Sequence, residues 1–154
     1  MTLMKTMKRF FVKTLTLALL LAAAVRAQNS AALSASNLEP SKAAAYKFEV
    51  DFDSQVTQSS RFEIVFPSAF NVSQAMMAVS EKLDGNLTVT VDSTIVTLRR
   101  SGGRNAIAAN ETIDFTIASI INPAQPDQEW EFSFILTTGQ TAVEKKVSTK
   151  MTLF

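Results

Sequence analysis

Along Tyr46-Lys47-Phe48-Glu49-Val50-Asp51-Phe52, apolar and charged residues alternate without a break. A period of two marks a β-strand with one face in a core and the other in water, because successive side chains point to opposite faces. The alternation recurs along the chain. Phe62, Ile64 and Phe66 share a face, and Pro67 ends their run. Leu87, Val89 and Val91 alternate with threonines, and Ile113, Phe115 and Ile117 lead toward Asn122-Pro123. Trp130, Phe132, Phe134 and Leu136 form the heaviest apolar face. Weaker strand signals lie at residues 31–36, 74–80, 94–98 and 147–154. Asp84-Gly85-Asn86, Asp92-Ser93 and Gly139 read as turns, and residues 99–105 as a loop. The pattern gives about eight strands at roughly 8–12-residue spacing, with no helical period beyond the first residues. It predicts an all-β chain: one immunoglobulin-like antiparallel β-sandwich of about seven to eight strands.

The start of the chain follows another logic. Lys5, Lys8, Arg9 and Lys13 precede a mostly apolar run over residues 15–25, and Val25-Arg26-Ala27 offers small residues around a cleavage point. This is the layout of a secretory signal peptide. The run of about 11 residues is short of the roughly 20 that span a bilayer. The expected organisation is a signal over residues 1–27, an N-terminal extension over 28–42 and the sandwich over 43–154. No membrane attachment is expected after cleavage, and the product is expected outside the cell or at its surface.

Processing also changes the sign of the charge. The signal takes five of the chain's 15 basic residues and none of its 14 acidic ones, so ten remain against 14, a net of −4. A mildly acidic chain is a poor partner for nucleic acid, which requires a basic face. The chain has neither cysteine nor histidine. That removes thiol chemistry, Cys/His zinc sites, the Ser-His-Asp triad and a histidine pH switch together. No enzyme activity, cofactor or metal is expected.

Several residue groups invite a site, each beside a plainer reading. Asp51, Asp53, Ser54 and Gln55 offer oxygens to calcium, and equally read as a strand ending in water. Arg99-Arg100-Ser101-Gly102-Gly103-Arg104 is the densest basic cluster. Without a helix behind it, it reads as a solvated hairpin loop rather than a phosphate cradle, with contact to an acidic neighbour as the alternative. Tyr46 and Trp130 have the chemistry of a sugar platform but are in phase with core phenylalanines. Met76 and Met77 read as core filler. Three sequons, at Asn71, Asn86 and Asn110, fall in or beside turns and are candidate glycosylation sites where the source glycosylates its exports.

The extension carries the functional expectation. Ala31, Leu33 and Ala35 alternate with Ala32, Ser34 and Ser36, and Asn37-Leu38-Glu39-Pro40 separates them from the body. A sandwich edge accepts an added strand through main-chain hydrogen bonds. The signal peptide, this small-residue strand, the single sandwich and the terminal β-run resemble pilus or fibril subunits that assemble by donor-strand exchange. Ile121-Asn122-Pro123 and Phe66-Pro67 are similar to strand ends in extracellular repeat modules. The chain differs from chaperone–usher pilins in having no cysteine pair and a donor of smaller side chains. The resemblance implies a secreted fibre subunit whose partners are copies of itself, with Ala31, Leu33 and Ala35 filling a neighbour's groove. The alternative is a monomeric secreted adhesion or ligand-binding module working through its loops.

Overall fold

A computed structural model describes residues 31–125 and 128–151. The expected signal peptide, the first three residues of the extension and the end of the terminal run at Phe154 lie outside them. Nine strands form two antiparallel sheets: β1 (Ala31–Ala35), β2 (Ala43–Asp51), β3 (Arg61–Val65), β4 (Ala78–Val79), β5 (Asn86–Asp92), β6 (Ile95–Ser101), β7 (Thr112–Ile121), β8 (Gln128–Thr138) and β9 (Thr141–Met151). One sheet has the order β1-β2-β7-β4 and the other β5-β6-β3-β8-β9. The chain folds as the expected immunoglobulin-like sandwich. The difference in strand number arises where the weak stretch at 74–80 contributes a two-residue strand.

The period-two faces become the core. Tyr46, Phe48, Val50 and Phe52 are all buried from the first sheet, and Phe62, Ile64, Phe132, Phe134 and Leu136 from the second. Phe48 sits at the seam, its ring 5.7 Å from Phe66, 5.7 Å from Phe132 and 5.3 Å from Phe134. Rings at these separations and steep angles add edge-to-face attraction to the burial of their area. Phe62 and Phe115 meet across the sheets at 4.6 Å. Between Ala44 and Tyr46 the pairing of β2 with β7 slips by one residue, and Ser119 of β7 takes φ 67 there. That bulge bends β7 before its end at Ile121.

Lys145 on β9 ties the two sheets together. Its ammonium donates to the Asp51 carbonyl at 2.6 Å and pairs with the Asp51 carboxylate at 2.8 Å, with side-chain exposures of 9% and 14%. A largely buried charged hydrogen bond of this kind is worth more than a surface pair. Lys145→Met, which keeps the stem and removes the charge, is expected to cost about 2–3 kcal/mol, read as a lower urea midpoint with unchanged m-value. A shift below about 0.5 kcal/mol would show that the pair carries no such load.

Candidate functional site

β1 pairs along its whole length with β2 of its own chain. Ala31 faces Val50, Leu33 faces Phe48 and Ala35 faces Tyr46. Leu33 and Ala35 lie half-buried against the core, while Ala32 and Ser34 on the other face are exposed. No residue from Ala32 to Ala35 belongs to the fully buried set. The strand therefore adds a lid of small side chains to a core that β2, β3, β7 and β8 already build.

The connection from β1 to β2 is held in place by one side chain. Asn122, 3% exposed just past the end of β7, donates from Nδ2 to the carbonyls of Asn37 (3.0 Å) and Glu39 (2.8 Å). Its Oδ1 accepts from the buried Tyr46 hydroxyl. A side-chain amide has two N–H donors and one carbonyl acceptor, and here all three groups are engaged. Backbone bonds reinforce the contact, with Asn122 N donating to Lys42 O at 2.9 Å and Ser41 N to Pro123 O at 3.3 Å. Burial raises the Tyr46 phenol above its ordinary pKa, so the hydroxyl keeps its proton and remains a donor. The Asn-Pro signal at the strand end was visible in the sequence. Its partners were not, because they lie 85 and 83 residues away along the chain.

The structure corrects the expected solvated loop at residues 99–101, while residues 102–105 form a loop and Arg99 and Arg104 are exposed. Arg99, Arg100 and Ser101 extend β6, and Arg100 is 3% exposed. It is in phase with buried Val96 and Leu98, so the strand carries it inward. Its guanidinium pairs with the Asp84 carboxylate and donates to the carbonyls of Asp84 (3.1 Å) and Thr57 (3.3 Å). Gly103 makes room for it, since a Cβ there would lie 2.5 Å from Arg100 Nε. The backbone N–H of Arg104 first, and then that of Asn105 and the Arg100 guanidinium, hold Asp84 below its ordinary pKa against the cost of leaving water. The acidic partner of the cluster is thus within the chain. It staples the Asp84-Gly85-Asn86 turn to the end of β6.

Met76 and Met77 also differ from expectation. They are 73% and 59% exposed beside the short edge strand β4, where neither lies on a strand that could turn it inward. Tyr46 and Trp130 are buried, as their phase with the phenylalanines predicts, so no aromatic platform faces solvent there. The Asp51 carboxylate is engaged by Lys145. Among the described residues, no three of His, Cys, Asp and Glu gather into a cluster. Asp114, which sequence reasoning passed over, is 5% exposed and accepts from the backbone of Glu81 and Lys82 and from the Ser80 hydroxyl, fixing the turn after β4.

The three sequon asparagines are exposed. Asn71 accepts from Ser73 N at 3.0 Å, Asn86 opens β5, and Asn110 occupies a left-handed turn at φ 64. A shallow cleft of about 250 Å³ lies between the 53–60 loop and the β8–β9 turn. Ser54, Gln55, Thr57, Thr138 and Thr141 line it with Leu136 and Val143, a set able to hydrogen-bond but without a nucleophile and its base. No described helix is long and apolar enough to cross a membrane.

No protein-family model matches the chain, and no curated protein matches it by sequence. Solved structures match it by shape. Domains D2 and D3 of the major pilin SpaD from Corynebacterium diphtheriae superpose with a TM-score of 0.53 at 10% identity, over 79% of this chain and 51% of that one. The chain thus spans about half the length of that pilin fragment. A cohesin module of a Clostridium perfringens family 33 glycoside hydrolase gives 0.50 at 10% identity, over 80% and 94%. An immunoglobulin-like protein from Nocardia farcinica gives 0.48 at 16% identity, over 74% and 81%. With the pilin domains and the cohesin module, the chain shares a two-sheet β-sandwich fold.

Proposed function

We propose that this chain is a secreted structural subunit of an extracellular fibre, and that copies join by exchanging the strand that carries Ala31, Leu33 and Ala35. The observation that carries this reading is the peripheral character of β1. It pairs with a single strand, contributes from Ala32 to Ala35 only half-buried or exposed side chains, and reaches the body through a seven-residue connection. Strand exchange repeats the same contacts between copies that are made within one, so the β1–β2 ladder itself is neutral between the two states. A head-to-tail exchange whose rotation does not close a ring extends into a filament. The edge chemistry also favours strand pairing. Ala31–Ala35 contains no charge, proline or bulge, the devices by which sheet edges usually resist addition.

Deleting residues 28–40 from the secreted product tests the assignment. The truncated chain is expected to fold, to lose filaments under electron microscopy, and to regain strand pairing when a synthetic peptide of residues 28–40 is added. Filaments that persist without the segment would contradict the role given to it.

A second reading has its own observation. With β1 seated on its own β2 and its connection held by Asn122, the chain is self-sufficient as a monomeric adhesion or ligand-binding module whose loops make the contacts. A monomeric mass at every concentration would favour it. Under either reading, the exposed Asn71, Asn86 and Asn110 are places where glycans are accommodated without disturbing the core.

A further inference from the structure

We infer that Asn122 is a latch that keeps β1 on its own body and so sets how fast copies exchange strands; this rests on the strand-exchange reading above. The β1–β2 ladder must open in every variant and contributes equally to each, so differences in exchange rate report on the connection over residues 36–42. Two carbonyls of that connection are held by one buried amide, which the Tyr46 hydroxyl fixes in orientation. The connection cannot straighten toward another body until Asn37 and Glu39 are released. An opposing element is built beside it. Ser41 takes φ 58, a left-handed conformation strained for a residue with a side chain, within a turn in which Lys42 N donates to Glu39 O at 3.3 Å. Straightening the connection relieves that strain. The hinge is thus sprung toward opening and held closed by Asn122, which acts as a positioning residue for the strand.

The absence of cysteine makes the test clean. One preparation of the mature chain carries Ala32→Cys and a second carries Glu49→Cys, positions that face each other in the β1–β2 ladder. After mixing under mild oxidation, a 32–49 disulfide between the two preparations forms fastest when β1 of one copy lies on β2 of another. Its rate is read in excess of the homodimers that the exposed Ala32→Cys preparation gives by collision. With Asn122→Ala in both, this heterodimer is expected to form about 10- to 100-fold faster, the effect of losing two or more buried hydrogen bonds from the closed hinge. Should that variant fail to fold, Tyr46→Phe, which frees only Oδ1, is expected to give a smaller rise of up to about tenfold. Ile64→Val, a fully buried core change on β3 of the other sheet that also lowers stability, is expected to leave the rate near that of the parent. Heterodimer formation at equal rates with and without Asn122 would overturn the latch and leave exchange standing. An acceleration by Ile64→Val equal to that of Asn122→Ala would also overturn it, by showing that global opening sets the rate. No heterodimer in any background, with the mixed proteins folded, would overturn the latch and the exchange reading together.

Discussion

Phe48→Ala is expected to lower unfolding stability by about 3–5 kcal/mol, a large fraction of the roughly 5–15 kcal/mol that holds a typical domain together. Phe48 is 1% exposed and its ring meets Tyr46, Phe66, Phe132 and Phe134, so it joins β2 of one sheet to β8 of the other. Alanine removes the ring and leaves a cavity bounded by four aromatic side chains, which cannot collapse inward without breaking their mutual edge contacts. Urea unfolding followed by Trp130 fluorescence measures the loss. Met77→Ala, at a position 59% exposed, should change stability by less than about 0.5 kcal/mol in the same assay. Similar losses at the two positions would mean that the core is not centred on the phenylalanine seam.

The second large effect is expected from Asp84→Ala. The Arg100 side chain has no exposed surface, and Asp84 is its carboxylate partner in the structure. Removing that partner leaves a buried guanidinium without its counter-ion, a loss moderated by the 37% exposure of the Asp84 side chain. Arg100→Met should be milder, because it removes the buried charge along with its bonds and fills much of the space with an apolar stem. The order of the two variants is therefore the informative result, and thermal unfolding of both gives it. Greater damage from Arg100→Met would show that packing rather than charge governs this corner. The pH dependence follows from the same contact. Asp84 has a folded-state pKa below its ordinary 3.8. Its contribution to stability is thus complete above that value and is lost as pH falls through the lowered one. The variant lacking this carboxylate should show a shallower loss of stability below about pH 4.

The sequence made the strands legible because burial on one face imposes a period that survives any detail of packing. Phe62, Ile64 and Phe66 announce one strand and Trp130 to Leu136 another, while the turn read at Asp92-Ser93 lies one residue later, at Ser93-Thr94, where it joins two more into a hairpin. Charged residues inside a period obscured the rest. Arg100 is in phase with Val96 and Leu98, and Lys145 with Val143, yet a charge at such a position reads as solvent-facing until its partner is known. Those partners, Asp84 and Asp51, are 16 and 94 residues away, and only the fold brings them within reach. This is why residues 99–105 read as a loop and why the last strand seemed to start at Val147 rather than Thr141. Met76 and Met77 show the converse. Hydrophobicity without a period carries no direction, and the chain there turns them outward.

The extension is the least legible part, because a strand of alanine, serine and a single leucine carries almost the same signal whichever body it joins. The alternation of Leu33 and Ala35 with Ser34 fixes which face meets the core, but a shift by two residues would keep that face, so only the fold sets Leu33 opposite Phe48. Asn122 was recognised only as a strand-end signal. Its grip on the two carbonyls depends on where the connection travels, which no local pattern encodes.

The most direct test of strand exchange places Ala32→Cys and Glu49→Cys in one chain that starts at Gln28 and oxidises assembled material. The two residues face each other four positions along the ladder from Ser36 and Ala45, where Ser36 N donates to Ala45 O, and an even offset keeps them in the same hydrogen-bonded phase. Such pairs have Cα atoms about 5.5 Å apart, a span a disulfide bridges. Exchange predicts a ladder of covalent multimers on a non-reducing denaturing gel that collapses to monomer on reduction. A single monomer band in which every disulfide closes within its own chain would contradict it.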